Sequence, residues 1–118
     1  MPQDTILVRL QAVIAERRDT NADGKKSYVA SLLEKGAPKI GAKIIEEAAE
    51  VVEAATEPGD DGREHLVKEV ADLWFHTMVL LGHARIDLSE IEAELGRRFG
   101  IGGHDEKAAR PGPKKPND

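Results

Sequence analysis

Two pairs of carboxylates carry the chemistry of this chain. Glu47 and Glu50 stand three apart within Glu46-Glu47-Ala48-Ala49-Glu50, and Glu69 and Asp72 stand three apart within Glu69-Val70-Ala71-Asp72. On a helix, residues at that spacing are neighbours, with Cβ atoms roughly 5–6 Å apart. Two carboxylates at about 5 Å repel by roughly 3 kcal/mol at an effective dielectric near 20, and four converging from two packed helices repel more. A divalent cation would relieve that repulsion, so the pattern points to a metal site. An all-oxygen ligand set favours a hard ion, Mg²⁺ with Mn²⁺ as a substitute. Mg²⁺ characteristically takes one or two carboxylates, several waters and the oxygens of a substrate phosphate chain. Lys35, Lys39 and Lys43, just upstream of the acids, are point cations that can meet the remaining phosphate charge. The chain has neither a Walker-type Gly-Lys-Ser/Thr loop nor a GxSxG turn, so P-loop phosphoryl transfer and α/β-hydrolase chemistry have no support. Metal-assisted hydrolysis of a phosphoanhydride is the most economical chemistry for this set. The competing reading is a solvated acidic face, which is common on helices.

Position on the helix bears on that choice. At 100° per residue, Ile40, Ile44, Ala48, Val51, Val52 and Ala55 form one apolar stripe. Glu47 falls at its margin and Glu50 just beyond, with Glu46 and Glu53 further towards solvent. The next segment is apolar over much of its circumference, through Leu66, Val67, Val70, Ala71, Leu73, Trp74, Phe75 and residues 78–81. Such a helix is expected to be largely buried, with Glu69, Asp72 and His76 on its one polar strip. The other elements follow from helical punctuation. Ile6, Leu7, Leu10, Val13 and Ile14 line one face of a helix over residues 5–18, with Asp4 as N-cap. Ser27 caps a short helix that ends at Gly36, and Pro38 suits the first turn of the helix carrying Glu47. That helix stops before Pro58-Gly59. Asp61 and Glu64 have capping-box spacing and predict the start of the Glu69 helix, which runs to about Ala84. Asp87 and Glu90 repeat the spacing ahead of a last helix with Leu88, Ile91, Leu95 and Phe99 on one face.

The expected fold is therefore all-α, a small four- to five-helix bundle over residues 1–100. A glycine-, proline- and lysine-rich tail over 101–118 is expected to be partly disordered. A chain of 118 residues buries about two thirds of its unfolded surface, so a homodimer is expected to hide the surplus apolar surface. Net charge is −5, and no basic stripe interleaves with aromatics, which argues against nucleic acid. The absence of cysteine excludes disulfides, zinc–thiolate sites and a cysteine nucleophile. No apolar run approaches a membrane span or signal-peptide core, so a cytoplasmic protein with no membrane partner is expected.

In combination, these motifs resemble a known family. EExxE followed by ExxD is similar to the signature of the MazG-like all-α nucleotide pyrophosphohydrolases. More narrowly, the chain resembles the phosphoribosyl-ATP pyrophosphohydrolases over roughly residues 5–110. The features that carry this are Ser27-Tyr28 leading to Leu32-Leu33 and Gly36, Lys39-Ile40 and Lys43, Glu69-Val70-Ala71-Asp72-Leu73 with His76, Arg98-Phe99-Gly100, and Glu106-Lys107-Ala108. Phe75, Val29 and Gly102-Gly103 depart from the Tyr, Thr and Ser-Gly expected there. The resemblance implies hydrolysis of phosphoribosyl-ATP to phosphoribosyl-AMP and pyrophosphate, the second step of histidine biosynthesis. With no cysteine and no residues left over for a zinc-dependent cyclohydrolase domain, the chain is expected to be the stand-alone form. Glu47, Glu50, Glu69 and Asp72 would hold Mg²⁺ against the triphosphate. Glu46 or Glu47 would accept the proton of the attacking water, ligand and base being inseparable by sequence. Ser27, Tyr28, Lys39, Lys43, His76 and Lys107 would contact substrate. Two alternatives stay open: a housekeeping pyrophosphohydrolase of (deoxy)nucleoside triphosphates, and a non-catalytic helical interaction module.

Overall fold

The computed structural model describes residues 5–19 and 27–101. Among them are five helices and no strand: α1 (Ile6–Asp19), α2 (Tyr28–Lys35), α3 (Ala37–Ala54), α4 (Gly59–Ala84) and α5 (Leu88–Phe99). The all-α expectation is borne out. Asp4, proposed as the first N-cap, and the tail beyond Ile101 lie outside the described residues. The Thr5 hydroxyl accepts from the Val8 N–H at 3.2 Å, supplying a cap to α1.

Described residues up to Ile86 form one compact unit. Ser27 begins α2 as expected, its Oγ accepting from the Ala30 N–H at 3.0 Å. Gly36 then closes α2 and opens α3 within a single residue. Its N–H donates to Leu32, its carbonyl accepts from Ile40, and its φ of 83° is open to glycine at little strain. Pro38 stands at the start of α3, where its missing N–H goes unneeded. Residues 55–58 turn the chain, and α4 returns against α3 as a helical hairpin, the most extensive helix pairing in the unit. α1 and α2 pack on that hairpin, closing a core whose most buried side chains are Ile14, Leu32, Ile40 and Val79.

Three expectations need correction. First, α4 starts at Gly59 after Pro58, not at Asp61; Asp61 lies in the first turn, where its charge complements the helix dipole instead of capping. Second, the buried face of α3 runs through Ile40, Glu47 and Ala54, whereas Val52 and Ala55 are exposed. The apolar residues alone misplace the rotation, because the face is set by what α4 presents. Third, α4 is not buried all round. Val67 and Trp74, seven residues apart, are 64% and 54% exposed.

α1 approaches α4 closely because Gly82 has no side chain. A Cβ there would stand 2.6 Å from Ile14 Cγ2. Arg18 Nη1 donates to the Gly82 carbonyl at 2.8 Å, tying the end of α1 to the end of α4. Just beyond, Arg85 closes α4 in the left-handed region, φ 60°, where glycine is usual.

The second unit begins at Asp87. Asp87 and Glu90 make the expected capping box, and Gly100, φ 66°, ends α5. Ile91, Leu95 and Phe99 line one exposed face of α5.

The Gly82 contact predicts that Gly82→Ala costs about 1–3 kcal/mol by overpacking against Ile14. Arg85→Gly is expected to have the opposite sign or none, since it relieves left-handed strain and removes only an exposed ion pair with Asp19. Urea unfolding of both variants checks the pair.

Candidate metal centre

The hairpin brings acids from both helices together. Glu47 lies on the face of α3 turned to α4 and is 7% exposed. Glu50 follows one turn later, half-buried, and Glu69 faces them from α4. One carboxylate oxygen from each of the three lies within 4.8 Å of the others. Glu47 Oε1 and Glu69 Oε1 are buried and have no hydrogen-bond partner. Asp72 lies outside that grouping and is exposed, yet its charge acts on both Glu47 and Glu50.

The electrostatics register the crowding. Burial, then the chance to share a proton with Glu69 and the charges of Asp72 and Glu50, push the Glu47 carboxyl up to about 7. Glu50 is held above its ordinary range first by the chance to share a proton with Glu69, then by burial and nearby charge. Carboxylates this close share protons when nothing else neutralises them. The donor set is all oxygen, two of its oxygens are unpartnered, and its proton affinity is raised by burial and by neighbouring carboxylates. Those residues fit a hard divalent cation.

Beside the acids, Tyr28 and His76 meet across 48 residues of sequence, Tyr28 Oη lying 2.9 Å from His76 Nε2. His76 is 5% exposed, and its Nδ1 lies 3.0 Å from the Asp72 carbonyl. A carbonyl only accepts, so Nδ1 carries the proton and Nε2 accepts from the tyrosine hydroxyl. Phe75 stacks on the Tyr28 ring at a centroid distance of 6.1 Å.

Residues 7–99 match the family described as phosphoribosyl-ATP pyrophosphohydrolase. The chain belongs to this family. Its relatives include the phosphoribosyl-ATP pyrophosphatase of Geobacter metallireducens, 54% identical over 92% of this chain and 95% of that protein. That of Neisseria gonorrhoeae is 50% identical over 91% and 95%, and that of Rhodopirellula baltica 44% identical over 97% and 90%. As phosphoribosyl-ATP pyrophosphohydrolases, the family's members hydrolyse phosphoribosyl-ATP in histidine biosynthesis.

Around the acid cluster, the other anticipated residues are scattered. Lys43 Nζ lies 3.3 Å from Glu46 Oε1, and Glu46 is turned outward, with a half-exposed side chain. Lys39 is exposed, Ser27 spends its hydroxyl on the α2 cap, and Lys107 lies outside the described residues. Two residues were not anticipated. His65 Nε2 lies 3.1 Å from Glu69 Oε2, and His65 Nδ1 lies 2.9 Å from Glu57 Oε1. Both carboxylates raise the His65 pKa, Glu57 most. The available signal was the spacing of four between His65 and Glu69, which places both on one helix face.

The state of Glu47 gives a sign to the pH dependence. The folded chain binds this proton more tightly than the unfolded one, whose carboxyl titrates near 4.5. Between about pH 4.5 and 7 the contribution of Glu47 to stability therefore falls as pH rises, and it stays low above that window. With chelator present, Glu47→Gln is expected to melt roughly 5 °C or more above the parent at pH 8. The gap should close towards pH 5, where the parent carboxyl is also neutral. Melting curves across pH check this, and a gap independent of pH would show Glu47 to be solvated.

Proposed function

We propose that Glu47, Glu50, Glu69 and Asp72 hold a divalent cation, Mg²⁺ with Mn²⁺ as a substitute, for hydrolysis of phosphoribosyl-ATP to phosphoribosyl-AMP and pyrophosphate. The observation that carries this reading is the pair of buried, unpartnered oxygens on Glu47 and Glu69. Anionic oxygens taken from water without a partner are expensive, and coordination of a hard cation removes that expense. Bound there, the ion would neutralise charge on the phosphate oxygens and lower the pKa of a coordinated water.

The chain's own groups then divide the remaining work. Water attacks the phosphorus of the anhydride that joins the α- and β-phosphates, and pyrophosphate leaves. A carboxylate not fully engaged with the metal, Glu46 or Glu47, accepts the proton. Glu46 is the better placed, since it is solvated and already faces Lys43. Lys43 and Lys39, on the first turns of α3, meet phosphate charge. Tyr28 offers a half-exposed aromatic face to the substrate, and His76 fixes its hydroxyl from below. Ser27 and Lys107 are assigned to the same substrate surface on the strength of the family motif.

We assign the active form to a cytoplasmic homodimer. Ile45 and Val52 on α3 and Val67 and Trp74 on α4 recur at intervals of seven and are all more than half exposed. That interval is the repeat with which paired helices pack side by side, so a second copy of the hairpin is the natural cover.

Two experiments test these assignments. Pyrophosphate release with Mg²⁺ should favour phosphoribosyl-ATP over ATP and the deoxynucleoside triphosphates, vanish with chelator and return with metal. Glu50→Gln and Asp72→Asn are each expected to lose at least about 100-fold in kcat/KM, near 3 kcal/mol, and retention of more than about a tenth would remove the metal assignment. For the dimer, Trp74→Glu should halve the mass measured by light scattering. The Trp74 fluorescence of the parent chain should shift to the red on dilution.

A further inference from the structure

The metal-centre reading leaves open what orients its ligands. Rotation about the last bond of a glutamate side chain is soft, so a carboxylate with two free oxygens does not by itself choose which to present. At Glu69 the choice is made by a neighbour. His65, one turn earlier on α4, has Nε2 3.1 Å from Oε2, and Oε1 is left as the buried oxygen without a partner. The His65 ring is held from its other side by Glu57 Oε1, 2.9 Å from Nδ1. Glu57 comes from the turn between α3 and α4, and the turn can lie there only because residue 62 is glycine. A Cβ on Gly62 would stand 2.6 Å from the Glu57 carbonyl carbon and closer still to its oxygen.

We infer that His65 is a positioning residue of the metal centre: it fixes Glu69 Oε2, so that Oε1 faces Glu47 and Glu50, and Glu57 fixes His65. The arrangement makes the α3–α4 turn part of the site without any turn residue reaching the acids. A bland reading exists, because His65 and Glu57 are each about 40% exposed and exposed ion pairs contribute little to stability. It does not explain Glu69, whose side chain is 15% exposed and whose Oε2 meets His65 while the buried Oε1 has no partner. Partners that hold metal ligands typically change metal affinity 10- to 100-fold when removed.

This inference rests on the metal reading, and Mn²⁺ binding to the full chain, followed by electron paramagnetic resonance, separates the two. If the parent chain binds no Mn²⁺, the reading and the inference fall together. If the parent binds, His65→Ala is expected to weaken Mn²⁺ about tenfold, while the melting temperature without metal falls by no more than about 5 °C. His65→Gln, which keeps a donor four residues from Glu69, should recover most of that loss. Glu57→Ala should weaken Mn²⁺ by about threefold in the parent background and by nothing further in His65→Ala, since it acts only through the ring. Affinity within twofold of the parent in His65→Ala would overturn the inference, as would equal losses from Glu57→Ala in both backgrounds. Nitrogen coupling in the Mn²⁺ signal would also overturn it, by making His65 a ligand. Should His65→Ala not fold, Glu57→Ala on the exposed turn decides alone: a loss supports the inference and parent affinity defeats it.

Discussion

Like charge held at short range between α3 and α4 is the constraint on which the rest of this structure depends. Three carboxylates with oxygens within 4.8 Å of one another repel, each pair by roughly 3 kcal/mol at an effective dielectric near 20. Burial of Glu47 makes the repulsion harder to screen. The hairpin must be held shut against it by something else, and the apolar packing of Ile14, Leu32, Ile40 and Val79 supplies that force. Two glycines serve the same end. Gly36 compresses the α2–α3 joint to one residue, and Gly82 lets α1 sit directly on α4. A looser bundle would relax by letting the acids drift apart, and the site would lose the proximity that makes it a site.

The compensation is local as well as global. Burial together with neighbouring carboxylates raises the proton affinity of Glu47, contact with Glu69 that of Glu50, and the histidine bracketed by Glu57 and Glu69 answers the same crowding of acids. Tyr28 and His76 solve a separate problem. A histidine 5% exposed must satisfy two ring nitrogens, and it does so with a backbone carbonyl on its own helix and a hydroxyl from α2. That pairing fastens α2 to the hairpin beside the acids, which ties the half-exposed Tyr28 ring to the carboxylate cluster through one buried ring.

Much of this was legible before any coordinates. Ser27, Gly36, Pro38 and the Asp87–Glu90 box mark helix ends because capping is decided by residues within one turn of each other. The acid motif was legible for the same reason, since a spacing of three fixes a shared helix face. What failed was anything set by a partner element. The rotation of α3 was misjudged because Glu47, a charged residue, occupies the centre of the buried face, and a wheel drawn from apolar residues pushes it to the edge. The start of α4 was misplaced because Pro58 and a left-handed Gly59 deliver the chain into the helix ahead of Asp61. The apolar girth of α4 suggested burial within one chain, but Val67 and Trp74 point away from it.

The two unanticipated residues show where sequence reasoning stops. His65 could have been placed on the face of Glu69, but nothing local says that Glu57 lies on the other side of its ring. That depends on the turn folding back over Gly62, a contact whose only trace in the sequence is the absence of a side chain. A glycine inside a helix is ordinarily a weakness of about 1 kcal/mol relative to alanine. Its presence in the first turns of α4 is accounted for when the turn's approach is counted, because alanine would push Glu57 away from His65 and leave the Glu69 carboxylate free to rotate. Geometry at this acidic cluster is thus set by side-chain identity and by backbone volume a full turn removed, and the second can be read only from the fold.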